Sequence, residues 1–294
     1  MNERPTIARA SQRIAARSHV LLGIPLAYLF LFFFVPLALM VVISFWRVAD
    51  YRPVPDFTLA NYIEALTAPL NAQILWRTVY LSFLVTLVSA AIGYPAAYFL
   101  ARHVRSFQKP LIILAILPLW TSYLIRTFAW IPVLSRNGVI NQTLLKLGLI
   151  EEPITWLLYS HFAVVVALAG VYLPYMILPC YAVMERLDGR LFEAASDLGG
   201  SRLQVFWHVL LPLSAPGLAV GSLFVFILAM GSYVTPALLG GTSGTLIGQR
   251  IAVQFLDLSN QPLGSAMSMI VIAMVVVLAT VILRRYGVAS ESRR

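Results

Sequence analysis

Histidines are the side chains best suited to proton transfer and metal binding, and this 294-residue sequence has four: His19, His103, His161 and His208. They stand apart from one another and from acids, and no HExxH pair sets two of them on one helix face, so neither a metal site nor a metalloenzyme is expected. Gly-x-Ser-x-Gly, the turn that exposes a serine nucleophile, is absent. A nucleotide-cradling P-loop needs Gly-Lys followed by Ser or Thr, yet the only lysines, Lys109 and Lys146, precede Pro110 and Leu147. The chain therefore does not hydrolyse ATP itself, and no enzyme activity or cofactor is expected. Cys180 is alone, which rules out an intrachain disulfide. It reads as a small buried hydrophobe.

The stretch with chemistry to offer is 185–213, ERLDGRLFEAASDLGGSRLQVFWHVLLPL. Asp188 is placed to cap a helix over about Gly189–Leu198. Gly199 follows where a left-handed backbone is wanted. Ser201 and Gln204 have capping-box spacing, so a second helix starts there, and Pro212 and Pro216 are expected to interrupt it. On the first helix Leu191, Ala194, Ala195 and Leu198 fall on one small apolar face, edged by Glu193 and Asp197. Such a face suits docking in a groove of a soluble partner.

The elements that must position this segment follow from composition. The chain is 60 % hydrophobic and 11 % charged, where a soluble domain carries about 25 % charged residues. A span needs about 20 apolar residues, and six stretches qualify: Val20–Phe45, Val79–Leu100, Leu111–Leu134, Phe162–Met184, Pro216–Leu239 and Ala266–Leu283. The first is too long for a cleaved signal peptide and reads as a retained anchor. The expected fold is an all-α integral membrane protein with six transmembrane helices.

Orientation follows from the basic residues. Arg4, Arg9, Arg13 and Arg17, then Arg102, Arg105 and Lys109, then Arg186, Arg190 and Arg202, then Arg284, Arg285, Arg293 and Arg294 fall on one side. Only Arg47, Arg52, Arg77, Arg136, Lys146 and Arg250 fall on the other. The positive-inside bias puts both termini and the 185–213 loop in the cytoplasm. Residues 1–19 form a basic segment, either a helix with its arginines toward anionic lipid or a tail that only sets topology. Residues 20–284 form the membrane domain, and 285–294 a cytoplasmic tail. The net charge of +9 is accordingly directed at membrane lipid, not nucleic acid.

Glu193-Ala194-Ala195, three residues, Gly199, nine residues, Val209, one residue and Leu211-Pro212 resemble the EAA signature of the permease subunits of ABC importers, with Val209 in place of Ile. The resemblance implies the type I importer permease fold, with a cytoplasmic coupling helix between spans 4 and 5. Glu193, Ala194, Ala195, Asp197, Leu198, Gly199 and Pro212 then become the residues that engage an ATP-binding subunit. It further implies two copies of that subunit, a second permease subunit and a periplasmic solute-binding protein, in a bacterial inner membrane. The outer segments Asp50–Arg77, Arg136–Thr155 and Gly241–Gly264 are too short to be receptor domains, so the binding protein must be a separate chain.

Within this superfamily the chain is similar to the spermidine/putrescine permeases, on FTLANY (Phe57–Tyr62), GYPAAYFLA (Gly93–Ala101), PLWTSYLIRTFAW (Pro118–Trp130), NGVINQTLLKLGLI (Asn137–Ile150), LDGRLFEAASDLGGS (Leu187–Ser201) and LLGGTSGTLIGQRIAVQF (Leu238–Phe255). That resemblance implies a polyamine solute. Ala237 stands where the subgroup leads one to expect an acid, which keeps an opine, amino acid or phosphonate open. No Asp or Glu lies in any span, so a cation would rely on aromatic faces, carbonyls or the partner permease. Trp120, Tyr123, Tyr175 and Tyr233 are the candidate pathway residues, each also readable as a packing or interface aromatic. Arg126, the one charge within a span, either bonds a carbonyl or snorkels, or else faces the pathway. An ion-coupled secondary transporter is the alternative from another class, although neither a repeat nor an intramembrane acid supports it.

Overall fold

In the computed structural model, the described residues are 23, 25–50, 52–104, 107–241 and 244–286. The expected basic segment 1–19, the start of the first span, Arg105 and most of the 285–294 tail lie outside them.

Helix α1 (Pro25–Ile43) is followed by a short hairpin of β1 (Arg47–Ala49) and β2 (Arg52–Val54), with Val48 opposite Pro53. Then come α2 (Ala60–Thr67) and α3 (Pro69–Arg102). The apolar window that suggests a span from Val79 is the interior of this 34-residue helix, which starts at Pro69 because proline is favoured in a first turn. Next are α4 (Gln108–Trp120) and α5 (Tyr123–Lys146), the latter an irregular stretch with regular turns at Tyr123–Phe128, Trp130–Leu134 and Val139–Lys146. The remainder is α6 (His161–Met184), α7 (Arg190–Asp197), α8 (Arg202–Met230), α9 (Val234–Leu239), α10 (Ile247–Leu256) and α11 (Gln261–Tyr286).

Among the described residues, five helices are long and apolar enough to cross a membrane: α1, α3, α6, α8 and α11. The bent pair α4–α5 makes a sixth if counted as one span. Three expectations change. The third span is not one straight helix: α4 and α5 meet at 97° across Thr121 and Ser122. The fifth ends at Met230, and its outer part is the separate helix α9. Pro212 and Pro216 do not break α8. Proline lacks an N–H and crowds the carbonyl four residues back. Five residues of wider π-helix, Phe206–Leu210, precede Pro212 and absorb the mismatch, with Leu211 N–H donating to Phe206 O. The same device, Phe30–Phe34, precedes Pro36 in α1.

The core lies where α3, α6 and α8 pack, around Leu81, Val85, Val164, Leu168, Met176, Met184, Val225 and Ala229. Small residues let these helices approach closely, as membrane packing requires. A Cβ at Gly217 would sit 2.7 Å from Pro179 O, and one at Gly221 3.0 Å from Met176 Sδ. Cys180 is wholly buried there, as expected of a small hydrophobe. By contrast α1 presents Phe30, Phe32 and Phe33 outward, and α11 presents Val276, Val277 and Val281. In water such faces would be untenable, whereas in lipid they are the ordinary outer surface.

One buried bond joins distant segments. Thr78 Oγ1 in α3 accepts from Ile247 N–H at the start of α10, 2.8 Å away. Thr78→Val keeps the shape and removes the acceptor, leaving a buried donor unpaired at a cost of about 1–3 kcal/mol. The expected result is a lower thermal midpoint of the detergent-purified protein with unchanged helical content by circular dichroism.

Candidate coupling segment and solute pathway

The α7–α8 hairpin is built as its residue types dictate. Asp188 Oδ1 accepts from Arg190 N–H at 3.0 Å. Gly199 takes φ +87°, a conformation costly for any side chain. Gly200 N–H then returns to Ala195 O at 3.1 Å. Ser201 and Gln204 form the reciprocal box, with Ser201 N–H to Gln204 Oε1 at 2.8 Å and Gln204 N–H to Ser201 Oγ at 3.4 Å.

The hairpin's free face is the one expected. Leu198 is 90 % exposed, Leu191 and Ala194 are exposed, and Ala195 is half-buried. Ala195, Leu198, Gly199, Gln204, Val205 and His208 line a shallow depression of about 320 Å³. Glu193 and Asp197 are both exposed. Glu193 also borders a second hollow of about 690 Å³ between α7 and the end of α3, with Tyr98, Arg102, His103, Ser196 and Arg202. Pro212 lies exposed in α8, just after the π-helical turn that accommodates it.

What holds the hairpin to the spans was not legible in the sequence. Arg102, at the end of α3, donates from Nη2 to Leu187 O at 2.8 Å, and its guanidinium lies 4.5 Å over the Phe192 ring. In α7 Phe192 turns inward while its neighbours face out. Deeper, Tyr94 OH meets Ser214 Oγ at 2.7 Å, and Phe206 packs edge-on against Tyr94. The sole advance signal was the phenylalanine off the small apolar face. Arg102→Ala is expected to loosen the hairpin and lower uptake several-fold, whereas Arg102→Lys, which cannot fork and stack alike, restores only part of it. Uptake assays on membranes with matched permease content measure this.

At the other candidate locus the bent pair α4–α5 meets the break between α8 and α9. Ser160 N–H, at the head of α6, donates to Leu239 O at the end of α9, so α9 is tied to the start of α6. The α8–α9 break, Gly231–Tyr233, faces the α4–α5 break. Tyr123 OH bridges them, 2.8 Å from Ser232 Oγ and 2.7 Å from Thr235 Oγ1, and Thr127 Oγ1 lies 3.2 Å from Thr235 Oγ1. Irregular backbone at membrane depth is tolerated where it lines a cavity. Here it borders a hollow of about 620 Å³ lined by Tyr123, Arg126, Tyr172, Tyr175, Ser232 and Tyr233, among others. The Tyr123 and Tyr172 rings stack at 6.3 Å, and Tyr175 stands edge-on to Tyr172.

Tyr123, Arg126, Tyr175 and Tyr233 are thus brought together. Trp120 is not: it is 81 % exposed, on the far side of the chain's turn. Arg126 does not snorkel. Its Nη1 donates to Val171 O at 3.1 Å, and Val171 is the eleventh of the 24 residues of α6. Tyr172 and Gly231 also shape the hollow. A clue to the breaks was present in Thr121-Ser122 and Gly231-Ser232, polar and small pairs inside otherwise apolar stretches.

Known proteins similar to this chain place it in a family. Residues 14–293 match the family described as binding-protein-dependent transport system inner membrane component. The chain is 39 % identical over 242 residues to the spermidine/putrescine transport system permease protein PotB of Escherichia coli (strain K12), covering 82 % of this chain and 87 % of that one. It is 36 % identical over 251 residues to PotB of Haemophilus influenzae, covering 85 % and 87 %. Among solved structures, a bacterial alginate ABC transporter in complex with an alginate pentasaccharide-bound periplasmic protein matches with a TM-score of 0.72 at 17 % identity, over 95 % of this chain and 99 % of that chain.

Proposed function

Because this chain belongs to the binding-protein-dependent transport system inner membrane component family, the multi-pass permeases of ABC importers, we propose that it imports a polyamine, using two ATP-binding subunits gripped through its α7–α8 hairpin. Permeases of this family work with ATP-binding subunits and a periplasmic binding protein. A second permease completes the pathway, and both termini face the cytoplasm, as the basic residues favour. The single observation that carries the reading is the uncovered apolar helix: Leu191, Ala194 and Leu198 are presented outward on a hairpin anchored to α3. In this reading Glu193, Ala194, Ala195, Asp197, Leu198 and Gly199 contact the ATPase, and Pro212 lets the rigid helix continue into the membrane. A shift of α7 is then passed to whole spans instead of dissipating locally.

The polyamine solute rests on the relatives' names together with a tyrosine-lined hollow free of carboxylates. Tyrosine faces attract alkylammonium groups without a fixed acid. Ala237 and the inward Arg126 favour a second reading, a small solute carrying a carboxylate, such as an amino acid or opine. Thermal-shift screening of the cognate binding protein against polyamines, amino acids, opines and phosphonates separates the two. Stabilisation by spermidine or putrescine supports the first, and stabilisation by an anion alone overturns it. Uptake should also disappear when the gene for the ATP-binding subunit is deleted; surviving uptake would mean an ion-coupled transporter instead.

A further inference from the structure

We propose that Arg126 is the cation barrier of the pathway, a fixed positive charge that keeps the resting permease tight to small inorganic cations. The inference rests on the importer reading of the hollow; a polycationic solute would meet the same repulsion, which the tyrosine faces around Arg126 must then offset.

Three observations converge on it. Among the described residues, Arg126 is the one charged side chain bordering the hollow between the two breaks. It is fixed about halfway along α6 by its bond to Val171 O, and its Nε is buried with no hydrogen-bond partner among the described residues. No carboxylate is present in α3, α4, α5, α6, α8, α9 or α11 to offset it. A guanidinium carries a fixed positive charge. In a low-dielectric surround it acts over several ångströms with little screening. Pore arginines that exclude cations elsewhere use the same physics.

Such a charge is costly to hold there. The Val171 carbonyl already has the α6 ladder, and the two breaks are bridged by Tyr123 through Ser232 and Thr235 without Arg126. What the position does supply is repulsion at the hollow, where α4–α5 and α8–α9 are interrupted. A potassium ion or a hydronium has only the local field to meet. A longer organic solute has methylene and ammonium groups to spread over Tyr123, Tyr172, Tyr175 and Tyr233 at once.

The test uses the whole importer, with its partner permease and ATP-binding subunits, in proteoliposomes without ATP, and reads passive rubidium efflux. Arg126→Gln is expected to raise efflux about tenfold or more, while Arg126→Lys stays as tight as the unaltered importer. Val234→Glu keeps the Arg126 side chain and sets a carboxylate at the hollow's edge to offset its charge. It too should leak, and it carries the test if the glutamine variant fails to assemble. Efflux unchanged in Arg126→Gln or in Val234→Glu would overturn the proposal. So would Arg126→Lys leaking like glutamine, because the guanidinium's bonds would then matter and its charge would not. Labelling of Tyr233→Cys in a Cys180→Ala background by a membrane-impermeant maleimide separates the two levels of failure. Labelling without leak removes only the barrier. No labelling removes the hollow as pathway, and the barrier with it.

Discussion

Leu198→Asp is expected to leave the permease in the membrane at its normal level and to reduce ATP-driven uptake by more than tenfold. Leu198 is 90 % exposed at the tip of α7 and makes little of the chain's own core, so its loss should not unfold the protein. If the apolar face seats in a partner's groove, the buried carboxylate would be unpaired there, and central interface residues commonly cost 2 kcal/mol or more on truncation, about thirtyfold in affinity. Glu193→Lys should act in the same direction by reversing the charge at the edge of that face. Gly199→Asp acts through the backbone, since φ +87° disfavours a side chain by about 1–2 kcal/mol per residue and the turn that follows would have to move. The measurement is uptake against permease content, with co-purification of the ATP-binding subunit. Full uptake by Leu198→Asp and Gly199→Asp together would remove α7 as the coupling element.

Gly217→Val is expected to do the reverse, lowering permease content before it alters coupling. A Cβ there meets Pro179 O at 2.7 Å, Val183 Cγ2 at 3.0 Å and the Cys180 Cα at 3.1 Å. Two of those three atoms are backbone, so no rotamer change relieves the clash and α8 must move away from α6. Overpacking of this sort costs about 1–3 kcal/mol. The displacement would also part Tyr94 OH from Ser214 Oγ, a buried bond three residues back along α8. A fall in the thermal midpoint of the purified importer, larger than for Gly217→Ala, checks this. The exposed Gly189, with nothing within 4 Å of its Cβ position, should tolerate alanine without change.

The coupling hairpin was the part most readable in advance. Asp188, Gly199, Ser201 and Gln204 each specify a local backbone state through their own side chain or lack of one, over three residues or fewer, and each forms the bond its type allows. The straight spans were equally legible, because a run of 20 apolar residues has only one stable use in lipid. Pro212 was misread, since a proline's effect depends on whether the preceding turn can widen, and Phe206–Leu210 does so. Trp120 lies apart from the tyrosine-lined hollow, exposed before the 97° turn between α4 and α5, and composition gives no direction for such a turn.

By itself the sequence determined that this chain is built of apolar helices suited to lipid and that 185–213 carries a short helix with a small apolar face ended by a glycine. Those properties are local or compositional, so they survive without knowledge of what packs on what. The tertiary structure alone decided that the two span breaks coincide, that Tyr123 joins them, that Arg126 stays at mid-depth on the Val171 carbonyl, and that Arg102 clamps α7 through Phe192. Each of these pairs residues between 45 and 112 positions apart or on separate helices, and contacts at such range depend on helix rotation and crossing angle, which are fixed only when Gly93, Gly217 and Gly221 let the core helices close.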